Sequence, residues 1–423
     1  MEIYRVEGGR ALEGRVVLPP AKNSVLPLMA AALLCSAPVE LSPVPDTADS
    51  QTSLALLRAL GAAACRKGEG VEIFCGGALQ TRLPEELAGA MRSSLFYLSP
   101  LLHRAGRVTM PLPGGCRLGP RLIDIHLDGL AHMGARIRFQ QRTVTLASPR
   151  RLQGADYTLR VPSVGATETL LMAAVLARGG SVLRGAACEP EVSDLAAFLR
   201  ACGADIHGAG TPIIRVRGVE ELGGCRFTPL PDRIVGATLA CATAAAGGRV
   251  VLENGRWNDM KDTLLLLQRM GCGVKGTDGV EVEREGALRA LEEVRTGAWP
   301  GFATDAAPLL AAALLRAGGK SSICDTLFEK RFVCAEGFAA LGADVRVEGR
   351  CLTVRGVERL RGAAVTAPDL RGGAALVLAA LSAEGTTLIK DAGHIRRGYP
   401  DLAGTLRSLG AAAEKAETTD PDR

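Results

Sequence analysis

The chain has 423 residues, a formal net charge of +5 and an apolar fraction of 47%, with only 4% aromatic residues. That length calls for two or three domains, and the composition excludes a disordered chain. No basic block or basic–aromatic interleaving points to nucleic acid, whereas the modest positive charge suits an anionic ligand.

No apolar run reaches membrane-spanning length, and the N-terminus MEIYRVEGGR lacks the apolar core of a signal peptide. A soluble cytoplasmic protein with no membrane partner is expected. The twelve cysteines form no CxxC pair and no His/Cys grouping, so no zinc site is expected. In a cytoplasmic chain they read as reduced thiols, mostly buried as small hydrophobes.

Along the chain, the pattern Leu-x-x-Leu-Gly-Ala recurs at Leu57–Ala62, Leu130–Ala135, Leu199–Ala204, Leu267–Cys272, Phe338–Ala343 and Leu406–Ala411. Its glycines fall at 61, 134, 203, 271, 342 and 410, so successive spacings are 73, 69, 68, 71 and 68 residues. Six copies at so constant a period describe an internal repeat. Apolar residues three apart close a helix, and the glycine is its left-handed C-cap. Strand-like alternation follows, as in Ala135-Arg-Ile-Arg-Phe. Between copies, a second Ala/Leu-rich helix meets a small-residue turn and a short apolar strand. Each unit of about 70 residues therefore holds two helices and several short strands. Three units in each of two globular halves is the natural division, with a crossing near Thr228-Pro-Leu-Pro231. The residues from Ala413 onward read as a frayed polar tail.

One stretch carries chemistry of its own. In PLPGGCRLGPRLIDIHL (Pro111 to Leu127), prolines and glycines place Cys116 on a loop, followed by Arg117 and Arg121. Guanidinium groups beside a thiol favour the thiolate, and such a thiol can also donate a proton near neutral pH. Taken alone, the same residues also fit an inert loop cysteine with two solvated arginines.

The ordered set AKNSVLP (Ala21 to Pro27), PGGCRLGPR (Pro113 to Arg121), SVGATET (Ser163 to Thr169), FATDAAP (Phe302 to Pro308), FEKRF (Phe328 to Phe332), PDLRGGAALV (Pro368 to Val377) and HIRRGY (His394 to Tyr399) resembles the UDP-N-acetylglucosamine enolpyruvyl transferase (MurA) family. The resemblance spans nearly the whole chain. It implies an α/β, two-domain enolpyruvyl transferase fold, an inside-out α/β barrel of six βαβαββ units, three per domain. Residues 1–21 with 230–423 would form one domain and 22–229 the other. The implied reaction moves the enolpyruvyl group of phosphoenolpyruvate to the 3′-hydroxyl of UDP-N-acetylglucosamine and releases phosphate, through a tetrahedral intermediate. This is the first committed step of peptidoglycan synthesis. No metal or organic cofactor is implied. The partners are the two small-molecule substrates, and a monomer is expected.

Residue by residue, Lys22, Arg121 and Arg397 match the positions for the phosphate of phosphoenolpyruvate, with Arg92 beside them. Arg331 and Arg371 match positions that meet the carboxylate region, where planar guanidinium forks suit two-point recognition. Cys116 matches the loop cysteine that protonates C3 and is the target of fosfomycin. Asp305 matches the base for the 3′-hydroxyl and, opening an Ala/Leu helix, is also placed to act as its N-cap. Asn23 and Asp369 match positions that hold the sugar and the intermediate, and Asp369 is placed to orient Arg371 by pairing with it. The uridine end would meet Arg121, Leu122, Ile123, Asp124 and Ile125, together with Ser163, Val164 and Gly165, and Leu327 matches a further substrate-binding position. His126 and His394 are read as structural. Substrate-driven closure is expected, with the nucleotide sugar binding first.

Several positions depart from the family pattern: Pro19-Pro20, Leu122, Ala303, Lys330 and Arg396. None removes a matched catalytic side chain. Two alternatives stay open: the shikimate-pathway enolpyruvyl transferase, and a weakly catalytic paralogue that binds the UDP-sugar and regulates.

Overall fold

The computed structural model describes residues 2–112, 123–148, 151–276 and 278–417. They form two compact units. One is built from the chain up to Pro19 and again from Pro231, the other from the described residues between Pro20 and Leu230.

In the first unit, three copies of one strand–helix arrangement follow each other. Strand Gly248–Leu252 pairs parallel with Leu12–Val16 and antiparallel with Val280–Arg284, which in turn pairs with Gly273–Gly276. The second copy places Lys320–Cys324 between Glu293–Arg295 and the hairpin Asp344–Glu348/Cys351–Arg355. In the third, Thr386–Lys390 pairs parallel with Ala364–Thr366, but its antiparallel partner is the N-terminal strand Glu2–Glu7. The beginning of the chain thus supplies the last strand of the last copy.

Inside these sheets lie helices Arg233–Ala246, Ala307–Leu314 and Leu370–Leu381, packed against one another. Every residue of Ala307–Leu314 is buried. A helix apolar on all sides has no face to give to water, so it sits at the centre with the sheets as its shell. The second unit repeats the plan, with inner helices Lys22–Ala31, Leu98–Ala105 and Val164–Ala174. Its sheets are centred on Val39–Leu41 with Gly70–Phe74, Arg107–Pro111 with Thr143–Ala147, and Gly180–Arg184 with Ile213–Arg217. Each unit has its own core.

The six repeat glycines all have positive φ, between 87° and 107°, the left-handed turn expected after each helix. Two other glycines show how closely the copies pack. A Cβ on Gly218 would lie 1.8 Å from the carbonyl oxygen of Ala177, and one on Gly356 would lie 1.8 Å from that of Ala317. These glycines follow corresponding strands in different units, so the close approach is part of the repeat.

Two expectations are corrected. The tail does not fray at Ala413: strand Ala412–Glu417 pairs along Glu2–Glu7, and Ala413 is fully buried. Nor are all the thiols reduced. Cys324 and Cys351 face each other across an antiparallel ladder and are joined as a disulfide, whereas the other described cysteines are free. Among the described residues no helix is long and apolar enough to cross a membrane.

Candidate active site

In the first unit, an aspartate stands at the start of each inner helix: Asp232, Asp305 and Asp369. Two of them cap. Asp232 accepts from the N–H groups of Ile234 and Val235 at 2.8 and 2.9 Å. Asp369 accepts from those of Arg371 and Gly372 at 2.9 and 3.0 Å. These bonds satisfy donors that the first helical turn leaves without partners.

Asp305 is employed differently. It lies in a 3-10 turn, Thr304–Ala306, ahead of Ala307–Leu314, and Ala303 occupies the N-cap position without a side-chain bond. Its Oδ1 accepts from Arg331 Nη2 at 2.6 Å, and its Oδ2 accepts from Arg371 Nε at 3.2 Å. The carboxylate is 30% exposed, whereas both arginine side chains are almost wholly buried. Two guanidinium groups therefore fix the carboxylate from the protein side while part of it faces outward. Such charge-assisted bonds are short and directional.

Arg371 is held in turn by Tyr399, whose ring centroid lies 5.3 Å from the guanidinium carbon. The Tyr399 hydroxyl pairs with that of Thr238 at 2.7 Å. Burial alone disfavours a charged arginine, but Tyr399, Asp305 and Asp232 more than offset it, so the Arg371 pKa lies above the ordinary arginine value. Arg371 Nη1 is buried with no hydrogen-bond partner of good geometry among the described residues. The pairing of Asp369 with Arg371 runs through the backbone N–H, and the guanidinium turns to Asp305 instead. Arg397 ends a half-buried 3-10 turn, Ala392–Arg397, with Arg396 beside it. Leu327 is exposed, and its backbone N–H is bound by Asp325 at 2.9 Å.

In the second unit, Lys22 is the first residue of an inner helix, and its ammonium lies 3.1 Å from Asp49, both side chains being buried. Asn23 follows it, half-buried. Arg92 opens a 3-10 turn, Arg92–Tyr97, before the next inner helix. Ser163 caps the third, its Oγ accepting from Ala166 N–H at 3.3 Å, so Val164 and Gly165 lie in the first helical turn. Backbone N–H groups at a helix start favour anions.

Asp124 begins helix Asp124–His132 and is paired with Arg160. Burial pushes its carboxyl up, but the Arg160 hydrogen bond and charge, together with the Ile125 backbone N–H, more than offset this, leaving the pKa below its usual value. Ile123 is half-buried and Ile125 buried. His126 is buried beside Gly165, and a Cβ on that glycine would lie 3.1 Å from Nε2. Burial, then Arg92, pulls the His126 pKa down to about 4, so the ring is neutral near pH 7 and suits a structural role. Cys116, Arg121 and Leu122 lie outside the described residues.

The structure thus brings Asp305, Arg331 and Arg371 together, with Asp369 at the same helix start as Arg371. Sequence reasoning missed Asp325, Asp49 and Arg160. Each is recognisable only through a partner distant in the chain, and none stands in a motif of its own.

Similarity to known proteins runs the length of the chain. Residues 6–406 match the family described as EPSP synthase (3-phosphoshikimate 1-carboxyvinyltransferase). UDP-N-acetylglucosamine 1-carboxyvinyltransferase 1 of Symbiobacterium thermophilum is 43% identical over 423 residues, covering 98% of this chain and 95% of that protein. UDP-N-acetylglucosamine 1-carboxyvinyltransferase of Proteus mirabilis is 39% identical, covering 99% of this chain and 100% of that protein. The crystal structure of the enolpyruvyl transferase NikO from Streptomyces tendae superposes with a TM-score of 0.87 at 28% identity, covering 99% of each chain. EPSP synthase of Acinetobacter baumannii, at 19% identity and a TM-score of 0.76, covers 99% of this chain and 100% of its own and shares the fold.

Proposed function

The chain belongs to the EPSP synthase family of enolpyruvyl transferases, and we propose that it transfers the enolpyruvyl group of phosphoenolpyruvate to the 3′-hydroxyl of UDP-N-acetylglucosamine, as a cytoplasmic step of peptidoglycan synthesis. The choice of acceptor is supported by relatives named for that reaction, about 40% identical over nearly the whole chain. The chemistry is supported by one arrangement above all: the partly exposed Asp305 carboxylate aligned by Arg331 and Arg371.

In this reading Asp305 takes the proton of the attacking hydroxyl, whose oxygen bonds to C2 of phosphoenolpyruvate while C3 gains a proton from Cys116. A tetrahedral intermediate results. Loss of a C3 proton then expels phosphate, breaking the C2–O bond and restoring the double bond. Lys22, Arg92, Arg121 and Arg397 hold the phosphate as negative charge grows on it. Arg331 and Arg371 serve the carboxylate region, and Asn23 and Asp369 the sugar and the intermediate. The first turn at Ser163–Gly165, with the segment Arg121–Ile125, takes the uridine end, and Leu327 is a further substrate-binding residue.

The test is phosphate release from phosphoenolpyruvate with UDP-N-acetylglucosamine and with shikimate 3-phosphate in parallel. Release only with the nucleotide sugar is expected. Release only with shikimate 3-phosphate would transfer the chain to the other branch of its family.

A further inference from the structure

We propose that Asp325 is a positioning residue for this reaction, setting the orientation of both Arg331 and the Thr304–Asp305 turn. The inference rests on the reading of Asp305 as the base. Asp325 follows directly on strand Lys320–Cys324, and its side chain is completely buried. Its two oxygens have separate tasks. Oδ1 accepts from the backbone N–H groups of Leu327 and Phe328, at 2.9 and 2.6 Å, which fixes the turn leading to Arg331. Oδ2 accepts the hydroxyl proton of Thr304 and lies 3.8 Å from Arg331 Nε. The Thr304 oxygen in turn accepts from Arg331 Nε at 2.9 Å.

A directed chain results, from Arg331 Nε–H to the Thr304 hydroxyl to the Asp325 carboxylate. Thr304 adjoins Asp305, and the other arm of Arg331 holds Asp305 itself. Arg331 therefore stands between two carboxylates, one buried and one partly exposed. The buried one balances part of its charge and fixes the direction of the fork. The backbone under Asp325 is tied as well: its N–H donates to the Arg350 carbonyl at 2.9 Å, and Cys324 is bonded to Cys351. Without the Asp325 charge, Arg331 would be free to turn more fully onto Asp305 and displace it from its place against the substrate hydroxyl. A hydrogen bond to a charged group is strong enough for its loss to be read in a rate.

The experiment compares the whole protein with Asp325→Asn, Thr304→Val, Thr304→Ser and the double variant Asp325→Asn/Thr304→Val. Asp325→Asn and Thr304→Val are expected to lower kcat roughly 10- to 100-fold. The KM for UDP-N-acetylglucosamine should stay within about twofold, since only ground-state binding would move it. Thr304→Ser, which restores the hydroxyl, should recover most of the turnover lost in Thr304→Val. The double variant should be no slower than the slower single one, because both break one chain of bonds. Unchanged kcat in Asp325→Asn, or fully additive losses, would overturn the proposal. A second readout needs no turnover: the side-chain Nε–H resonance of Arg331, assigned by its loss in Arg331→Lys. Protection in the wild type and its loss in Thr304→Val and Asp325→Asn are expected. An identical resonance in the wild type and Asp325→Asn would overturn the role of Asp325, whereas a wild type inactive with the nucleotide sugar but showing this protection would overturn only the reading of the reaction.

Discussion

Arg371 donates its Nε–H to Asp305 at 3.2 Å across 66 residues of sequence, linking the starts of two inner helices of one unit. Helix 370–381 brings the arginine and the turn 304–306 brings the carboxylate. Each is the last polar side chain before a run of buried residues. Replacing Arg371 by lysine keeps the charge but loses the planar fork, and an ammonium cannot reproduce the contact with the Tyr399 ring together with the Asp305 bond. Turnover should fall roughly 30-fold or more, the scale set by truncating one member of a buried hydrogen-bonded pair. Steady-state kinetics of Arg371→Lys check this, and a rate near wild type would remove Arg371 from the alignment of Asp305.

The close approach at Gly356 gives a stability prediction. A Cβ there would lie 1.8 Å from a backbone oxygen that belongs to the same repeat, so no side-chain rotation relieves the overlap. Gly356→Ala should lose on the order of 3 kcal/mol, the upper end for overpacking. Gly349→Ala, where a Cβ meets nothing within 4 Å but φ is +58°, should lose less. Urea denaturation of the two variants distinguishes them, and equal midpoints would contradict the packing argument.

His103 and His126 predict how stability depends on pH. Burial pulls both pKa values down to about 4, with His103 also bound to the Ala173 carbonyl at 2.8 Å. An unfolded chain takes up these protons near pH 6.5 and the folded one only near pH 4, so the unfolded state binds more protons in between. Stability is therefore full above about pH 6.5 and falls as the pH drops towards 4, by up to ~3 kcal/mol per imidazole. His126→Gln should flatten the curve of denaturation midpoint against pH. An unchanged slope would show that the ring is already protonated in the folded state.

The Cys324–Cys351 bond encloses a sequence separation of 27 residues, and cross-links of that span contribute about 3 kcal/mol. Alkylation of the denatured protein without reductant should leave these two cysteines unlabelled, and dithiothreitol should expose them and lower the denaturation midpoint. Labelling of both before reduction would contradict the bond.

These features were unequally visible in the sequence. The repeat was legible because each copy ends a helix with a glycine that must adopt positive φ, a local demand that leaves a local mark. Cys324 and Cys351 carry no such mark, since only the register of two strands sets them opposite each other. The strand at Ala412–Glu417 is short and polar, and its partner lies at the other end of the chain, so nothing near it indicates pairing. The matched residues Asp305, Arg331 and Arg371 were legible as a family pattern, but that both arginines would converge on one carboxylate was not. Asp325 was invisible for the same reason: its meaning lies in Thr304, 21 residues away, and in Arg331.

The most direct measurement is product identification from phosphoenolpyruvate and UDP-N-acetylglucosamine by nuclear magnetic resonance, with the Asp305→Asn variant alongside. The account predicts one enolpyruvyl ether on the 3′-oxygen for each phosphate released by the wild type, and at most a small fraction of that rate in the variant. Phosphate release without a vinyl ether on the sugar, or an Asp305→Asn variant as fast as the wild type, would contradict it.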